Sequence, residues 1–197
     1  MADTSCLRSS TKYGKSRLAV SEGLASGLIF TRRIIYLGNI TYTTEGEELG
    51  IDSAVAERVI GGLLYFNGQN IKPITIVMNT SGGQVTSGFA IYDAIRSSKS
   101  PVDIEVFGEA SSMGAIILQA GRERRIHENT FILIHEGKIG LGEARSREHE
   151  AWAEWSRRDR KRMYQILSEN TKQRERYWQN ICAQRHDAIF DSRRALG

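Results

Sequence analysis

The chain has 197 residues, is 40 % hydrophobic and 25 % charged, and carries a net charge of +4, proportions that suit one globular domain with a full core. No run approaches the roughly 20 apolar residues of a membrane span, and the N-terminus lacks the apolar stretch and small-residue cleavage site of a secretory signal. Two cysteines, Cys6 and Cys182, make no disulfide framework, so a reducing cytoplasm is the expected location.

Residues 1–20 are polar and rich in Ser, Lys and Arg and read as a flexible arm, with residues 21–197 as a single domain. Residues 22–31 predict a short helix, residues 33–37 a compact strand and residues 41–50 a polar loop. Val55, Val59, Ile60, Leu63 and Leu64 then recur at helical spacing. Residues 74–78 form a buried-strand pattern, and 85–98 a helix with Phe89, Ile91 and Ile95 on its apolar side. A strand at 102–107, a helix at 112–120 and a strand at 131–134 complete the alternation. Strands alternating with helices predict an α/β class with parallel sheet.

From about 143 to 170 the character changes. Trp152, Trp155, Met163, Ile166 and Leu167 mark one helical stripe, yet residues 156–162 contain no aliphatic side chain. Such a helix cannot be wholly buried in its own domain, and it is expected to project and meet another subunit; a surface helix laced with ion pairs is the alternative. Much of the basic excess lies here, in residues 157–162, and in Arg193 and Arg194, which reads as a solvated face and not as a nucleic-acid surface. Cys182 falls in a further amphipathic helix. The four histidines and two cysteines show no zinc-ligand spacing, and no Walker-type glycine loop is present. No cofactor or metal is therefore expected on this chain.

The segment Gly108-Glu-Ala-Ser-Ser-Met-Gly-Ala115 sets Ser112 between two apolar runs, at a strand-to-helix junction. A helix N-terminus offers free N–H groups and a positive dipole end to a developing anion. His135 ends the strand of residues 131–134, and Gly82 and Gly83 lie at the exit of the strand of residues 74–78. A serine, a histidine and a spare glycine amide, each at a strand exit, are the parts of a serine hydrolase.

Asn79-Thr-Ser-Gly-Gly83, then Val85-Thr-Ser-Gly88 and Ala90-Ile-Tyr-Asp93, resembles the Asn-Ser-Pro-Gly-Gly…Ala-Ile-Tyr-Asp pattern of the proteolytic subunit of Clp protease (ClpP). Ala110-Ser-Ser-Met-Gly-Ala115 is similar to that family's nucleophile turn, and Ile134-His135 to its Met-Ile-His. The resemblance implies a crotonase-like fold of stacked βαβ units, with a projecting handle helix at about 136–170. It also implies a serine endopeptidase acting on peptides or unfolded proteins inside stacked homo-oligomeric rings, with a heptamer as a candidate ring. It carries Ser112 over as nucleophile and His135 as general base, with Gly83 and Met113 at the oxyanion-hole positions. The third triad member falls on Asp187, with Asp191 as its rival.

Several residues depart from the family pattern. Ser81 stands for a proline, Glu109 for a glutamine, and Glu136-Gly137 for Gln-Pro. Thr75, Val77 and Ser97 occupy positions that are commonly aromatic in the family's docking pocket for its ATPase. These replacements remove much of the apolar surface a Clp-type ATPase would grip; any ATP would be used by that separate partner. His186 replaces an arginine associated with ring pairing, and a protonated imidazole there is expected to make pairing favour acid. Three other readings remain open: a catalytically silent assembly subunit, a head-maturation protease of phage type, and an acyl-CoA enzyme of the crotonase superfamily, which would not need the three triad residues together.

Overall fold

The structure, a computed structural model, describes residues 27–38, 50–137, 146–184 and 187–196. The predicted arm with Cys6, nearly all of the 41–50 loop, and His186 lie outside the described residues.

The described chain opens with β1 (Leu28–Ile29), a single 3-10 turn (Phe30–Arg32) and β2 (Ile34–Leu37). The helix expected at 22–31 is thus corrected over its described part. Arg33 adopts a left-handed backbone (φ 53) that turns the chain back, so Leu28 and Ile29 pair antiparallel with Ile35 and Ile34. Sheet pairing at this edge overrides the weak local helix preference. The Arg33 side chain reinforces the turn. Its guanidinium donates to the carbonyls of Phe66, Asn70 and Lys72 and to Ser100 Oγ, a cation set against the negative end of the next helix.

That helix, α1 (Ser53–Gln69), begins at Asp52, whose carboxylate accepts from Val55 N at 2.8 Å, the usual N-cap bond. Then come β3 (Ile74–Thr80), α2 (Val85–Arg96), β4 (Val102–Ser111), α3 (Met113–Leu118), β5 (Arg124–Ile126) and β6 (Phe131–His135). The chain continues through α4 (Ser146–Asn170), α5 (Glu175–Gln184), β7 (Asp187–Asp191) and α6 (Ser192–Leu196). The sheet runs β1-β2-β3-β4-β6-β7, with β5 also paired to β4. β2, β3, β4 and β6 are mutually parallel, and β7 returns antiparallel to β6. The α/β class read from the alternation is the one observed.

Ile35, Leu37, Ile74, Ile76, Met78 and Ile104 are wholly buried in the sheet, under Val59 and Phe66 of α1 and Ile91 of α2. Each such side chain contributes about 1.5–3 kcal/mol by leaving water, which keeps the strand exits fixed relative to one another.

β4 is longer than the sequence suggested. Met78 pairs with Val106, but Thr80 pairs with Ala110, so β4 carries extra residues at a bulge. Gly108 there has φ 71, and Asn79 Oδ1 accepts from Glu109 N at 3.2 Å. The glycine hides the strand from a reading by pattern, and the bulge re-aims the last residues of β4. These lead directly into the serine turn that the sequence marked out. At the far end, Tyr164, Ile166 and Leu167 of α4 are buried, while none of residues 147–163 is. Trp152 and Trp155 are 57 % and 48 % exposed, as a projecting helix requires.

Candidate active site

Ser112 sits between β4 and α3 with φ 53 and ψ −118, a conformation that side chains rarely adopt. It is held from both sides. Its N–H donates to Leu133 O at 2.8 Å, and its carbonyl accepts from Ala115 N at 3.1 Å. Though it occupies the N-cap position of α3, its side chain makes no capping bond. The Oγ lies instead 2.8 Å from His135 Nε2.

His135 ends β6, and the antiparallel register sets Asp187 directly opposite. Its Nδ1 is 3.4 Å from Asp187 Oδ1, with the two side chains 27 % and 59 % exposed. That separation is slightly wider than a charge-assisted hydrogen bond. Asp191, the rival, pairs in register with Phe131, and its carboxylate accepts from Arg194 N at 2.9 Å. It caps the start of α6 and stands away from the imidazole.

Gly82 packs against the serine turn. A side chain at Gly82 (φ 99) would bring its Cβ to 2.5 Å from Ser112 Cβ and 3.2 Å from Met113 N. Only glycine allows this approach. Gly83, exposed, bridges in parallel to Ile51, which anchors the turn to the start of α1. Met113 is the first residue of α3, and its N–H belongs to the first helical turn, where donors lack helix partners. Ser112 is thus joined through His135 to Asp187, Met113 follows it in the chain, and Gly83 follows the glycine that closes on it. Among the described residues, no group of three or more His, Cys, Asp or Glu side chains is arranged to hold a metal ion.

A family model, Clp protease, matches residues 28–196. The chain belongs to the Clp protease family. Its fold is similar to that of a ClpP1 mutant from Listeria monocytogenes, with a TM-score of 0.73 and 24 % identity over 89 % of this chain and 90 % of that one.

Residues that depart from the Clp pattern take definite places in this corner. Glu109 and Ser111 lie just past the β4 bulge, and Glu109 accepts a hydrogen bond from Ser111 Oγ. Glu136, directly after His135, accepts from Tyr164 OH at 2.7 Å and from Arg160 at 2.8 Å. The Tyr164 hydroxyl, with Arg160 behind it, holds the Glu136 carboxyl below its ordinary range. In turn, burial and the carboxylate keep the phenol of Tyr164 protonated well above its usual value. This pair ties the projecting helix to the segment next to the histidine. Sequence reading did not single out Tyr164, Leu133 or the Asn79 bulge clamp, because nothing local marks a residue whose partner is distant along the chain.

Proposed function

We propose that this Clp family chain is a serine endopeptidase that hydrolyses peptides or unfolded proteins with Ser112 as nucleophile, His135 as general base and Asp187 as orienting acid. The observation that carries the reading is the 2.8 Å contact between Ser112 Oγ and His135 Nε2 at a strained strand exit. As Oγ attacks the scissile carbonyl, the imidazole takes its proton and later passes it to the leaving amine. Asp187, on the Nδ1 side, holds the tautomer that leaves Nε2 free to accept. The N–H groups of Gly83 and Met113 receive the oxyanion, and loss of one such donor typically raises the barrier by roughly 3 kcal/mol.

The chamber belongs to the same reading. The unburied stretch 147–163 of α4, with exposed Trp152 and Trp155, suits the pairing of rings through projecting helices. A closed chamber reconciles broad peptide cleavage with a cell full of folded proteins. Thr75 and Val77 are half-buried and Ser97 exposed, small side chains that offer a Clp-type ATPase little aromatic grip.

A silent assembly subunit is the second reading, and it draws on the 3.4 Å separation and open exposure of Asp187. Catalytic contacts are often loose before substrate binds and tighten in its complex. The deciding experiment labels the assembled protein with a serine-directed fluorophosphonate and measures peptide hydrolysis on the same sample, beside its native mass. Labelling at Ser112, with hydrolysis lost in Ser112→Ala and mass unchanged, is the expected result. An intact ring with neither labelling nor hydrolysis would favour the silent subunit.

A further inference from the structure

Glu109 and Ser111 both lie on β4 immediately before the nucleophile, and they form a hydrogen-bonded pair of their own. Alternation along the strand puts Glu109 and Ser111 on one face. Across the sheet they pair with Phe131 and Leu133, so the same face carries His135 two residues further on. Past His135, the antiparallel partner contributes Asp187 and Ile189. This face, buried at Ser111 but exposed at Phe131, Asp187 and Ile189, is where a peptide reaching Ser112 would lie.

Its charge is one-sided. The strand segments that build it, residues 108–112, 131–135 and 187–191, contain Glu109, Asp187 and Asp191 but no lysine or arginine. Asp187 faces the imidazole and Asp191 caps a helix. Glu109 is partly buried, accepts only from the neutral Ser111 hydroxyl, and has no cationic partner among the described residues. A half-buried carboxylate without a counter-ion attracts a cation, because water screens it incompletely. Three residues of strand, on the order of 10 Å, separate its backbone from Ser112. Side chains flanking a scissile bond at Ser112 fall within that span. Apolar Phe131 and Ile189 are 37 % and 54 % exposed on the same face, so a long aliphatic stem ending in a charge suits it better than a compact ion.

We propose that Glu109 is a specificity-determining residue that selects peptides bearing lysine or arginine beside the scissile bond. The proposal rests on the serine-peptidase reading. Ser111 serves as the positioning residue, holding one oxygen of the carboxylate and leaving the other to accept from substrate.

The test uses the full chain in its assembled form and a peptide set with lysine, Nε-acetyl-lysine or glutamate at each position flanking the cleavage site. At one or more positions, kcat/KM for lysine should exceed that for acetyl-lysine by roughly fivefold at low salt, the scale of one unit-charge contact near 4 Å in water. Glutamate should fall below both. Molar salt should remove the preference, since it shortens the screening length to about 3 Å. Glu109→Gln keeps an acceptor for Ser111 and removes only the charge, so the lysine to acetyl-lysine ratio should drop to about one. Glu109→Lys should reverse the order in favour of glutamate, which a merely structural role would not do. A ratio near one in the wild type, or an undiminished ratio in Glu109→Gln, overturns this inference while fluorophosphonate labelling and acetyl-lysine peptide hydrolysis leave the peptidase reading standing. Absence of both labelling and hydrolysis overturns the peptidase reading, and this inference with it.

Discussion

Asp187 stands directly across the β6–β7 ladder from His135, with its carboxylate oxygen 3.4 Å from the imidazole Nδ1. Asp191, further along the same strand, instead caps α6 through Arg194 N. Asp187→Asn should therefore lower kcat by roughly a hundredfold or more with little change in KM, because the amide favours the wrong imidazole tautomer. Asp191→Asn retains a capping oxygen and should leave turnover within about twofold. Steady-state kinetics on the two variants decides; the reverse ranking would reassign the orienting acid.

Much of this corner was legible in the sequence because its chemistry sits at strand exits. Ser112, His135 and the Gly82–Gly83 pair each end an apolar run, and the exits of parallel strands converge at one edge of a sheet. The choice between Asp187 and Asp191 was not legible. Both are acids in one short alternating stretch, and only the antiparallel register to β6 separates them. β5 and β7 were missed for a related reason, since Arg124–Ile126 and Asp187–Asp191 are too short and polar to stand out as strands. The helix expected at 22–31 was lost over residues 28–31 to a turn fixed by the distant partners of Arg33.

Gly82→Ala isolates the close approach of the glycine turn to the nucleophile. The added methyl would meet Ser112 Cβ at 2.5 Å, in a backbone region (φ 99) that disfavours any side chain. The turn or the serine must shift, and either movement spoils the 2.8 Å contact to His135. We expect hydrolysis to fall at least a hundredfold, since misplacing a reacting group by about 1 Å can cost that much. Thermal stability should drop by about 1–3 kcal/mol, the range for a strained backbone position. Full activity in the folded variant would remove the glycine turn from the site.

The Glu136 carboxylate links the histidine segment to α4, and its sign with pH is fixed. The Tyr164 hydroxyl first, and Arg160 after it, lower its folded pKa below the ordinary 4.5, against a smaller opposing push from burial. The unfolded chain therefore takes up its proton first as pH falls. The stability from this group is present above about pH 4.5 and is lost as pH drops through the lowered folded value. Arg160 and Glu136 are each 37 % exposed, so solvent screening holds the effect to a fraction of a kcal/mol. Glu136→Gln keeps an acceptor for Tyr164 and should be slightly less stable than wild type at neutral pH, with the gap closing as pH falls below 4.5 through the lowered folded value. Asp103, held low chiefly by its bond to Arg122, titrates in the same direction in both proteins, so it cancels in the comparison. Melting temperatures measured from pH 3 to 8 test this, and a gap that widens toward acid would contradict the assignment.

Cys182 gives a probe of the contact between α4 and α5. It is 2 % exposed, and burial raises its thiol above the ordinary 9.0. A buried neutral thiol is a poor nucleophile, so in a Cys6→Ser background it should react with a disulfide reagent only as fast as the native state opens. The raised folded pKa also sets a sign. The unfolded chain ionises first as pH rises, so the stabilisation is present below about pH 9 and declines above it. Tyr164, packed nearby and also raised by burial, adds to the same alkaline decline. Cys182→Ala should flatten part of that decline while costing about 1 kcal/mol at neutral pH through the small cavity it leaves. Tyr164→Phe should speed thiol labelling, because it removes the hydroxyl that anchors α4 to Glu136. Labelling of the native wild type that is immediate and independent of denaturant would show that α5 does not pack as described.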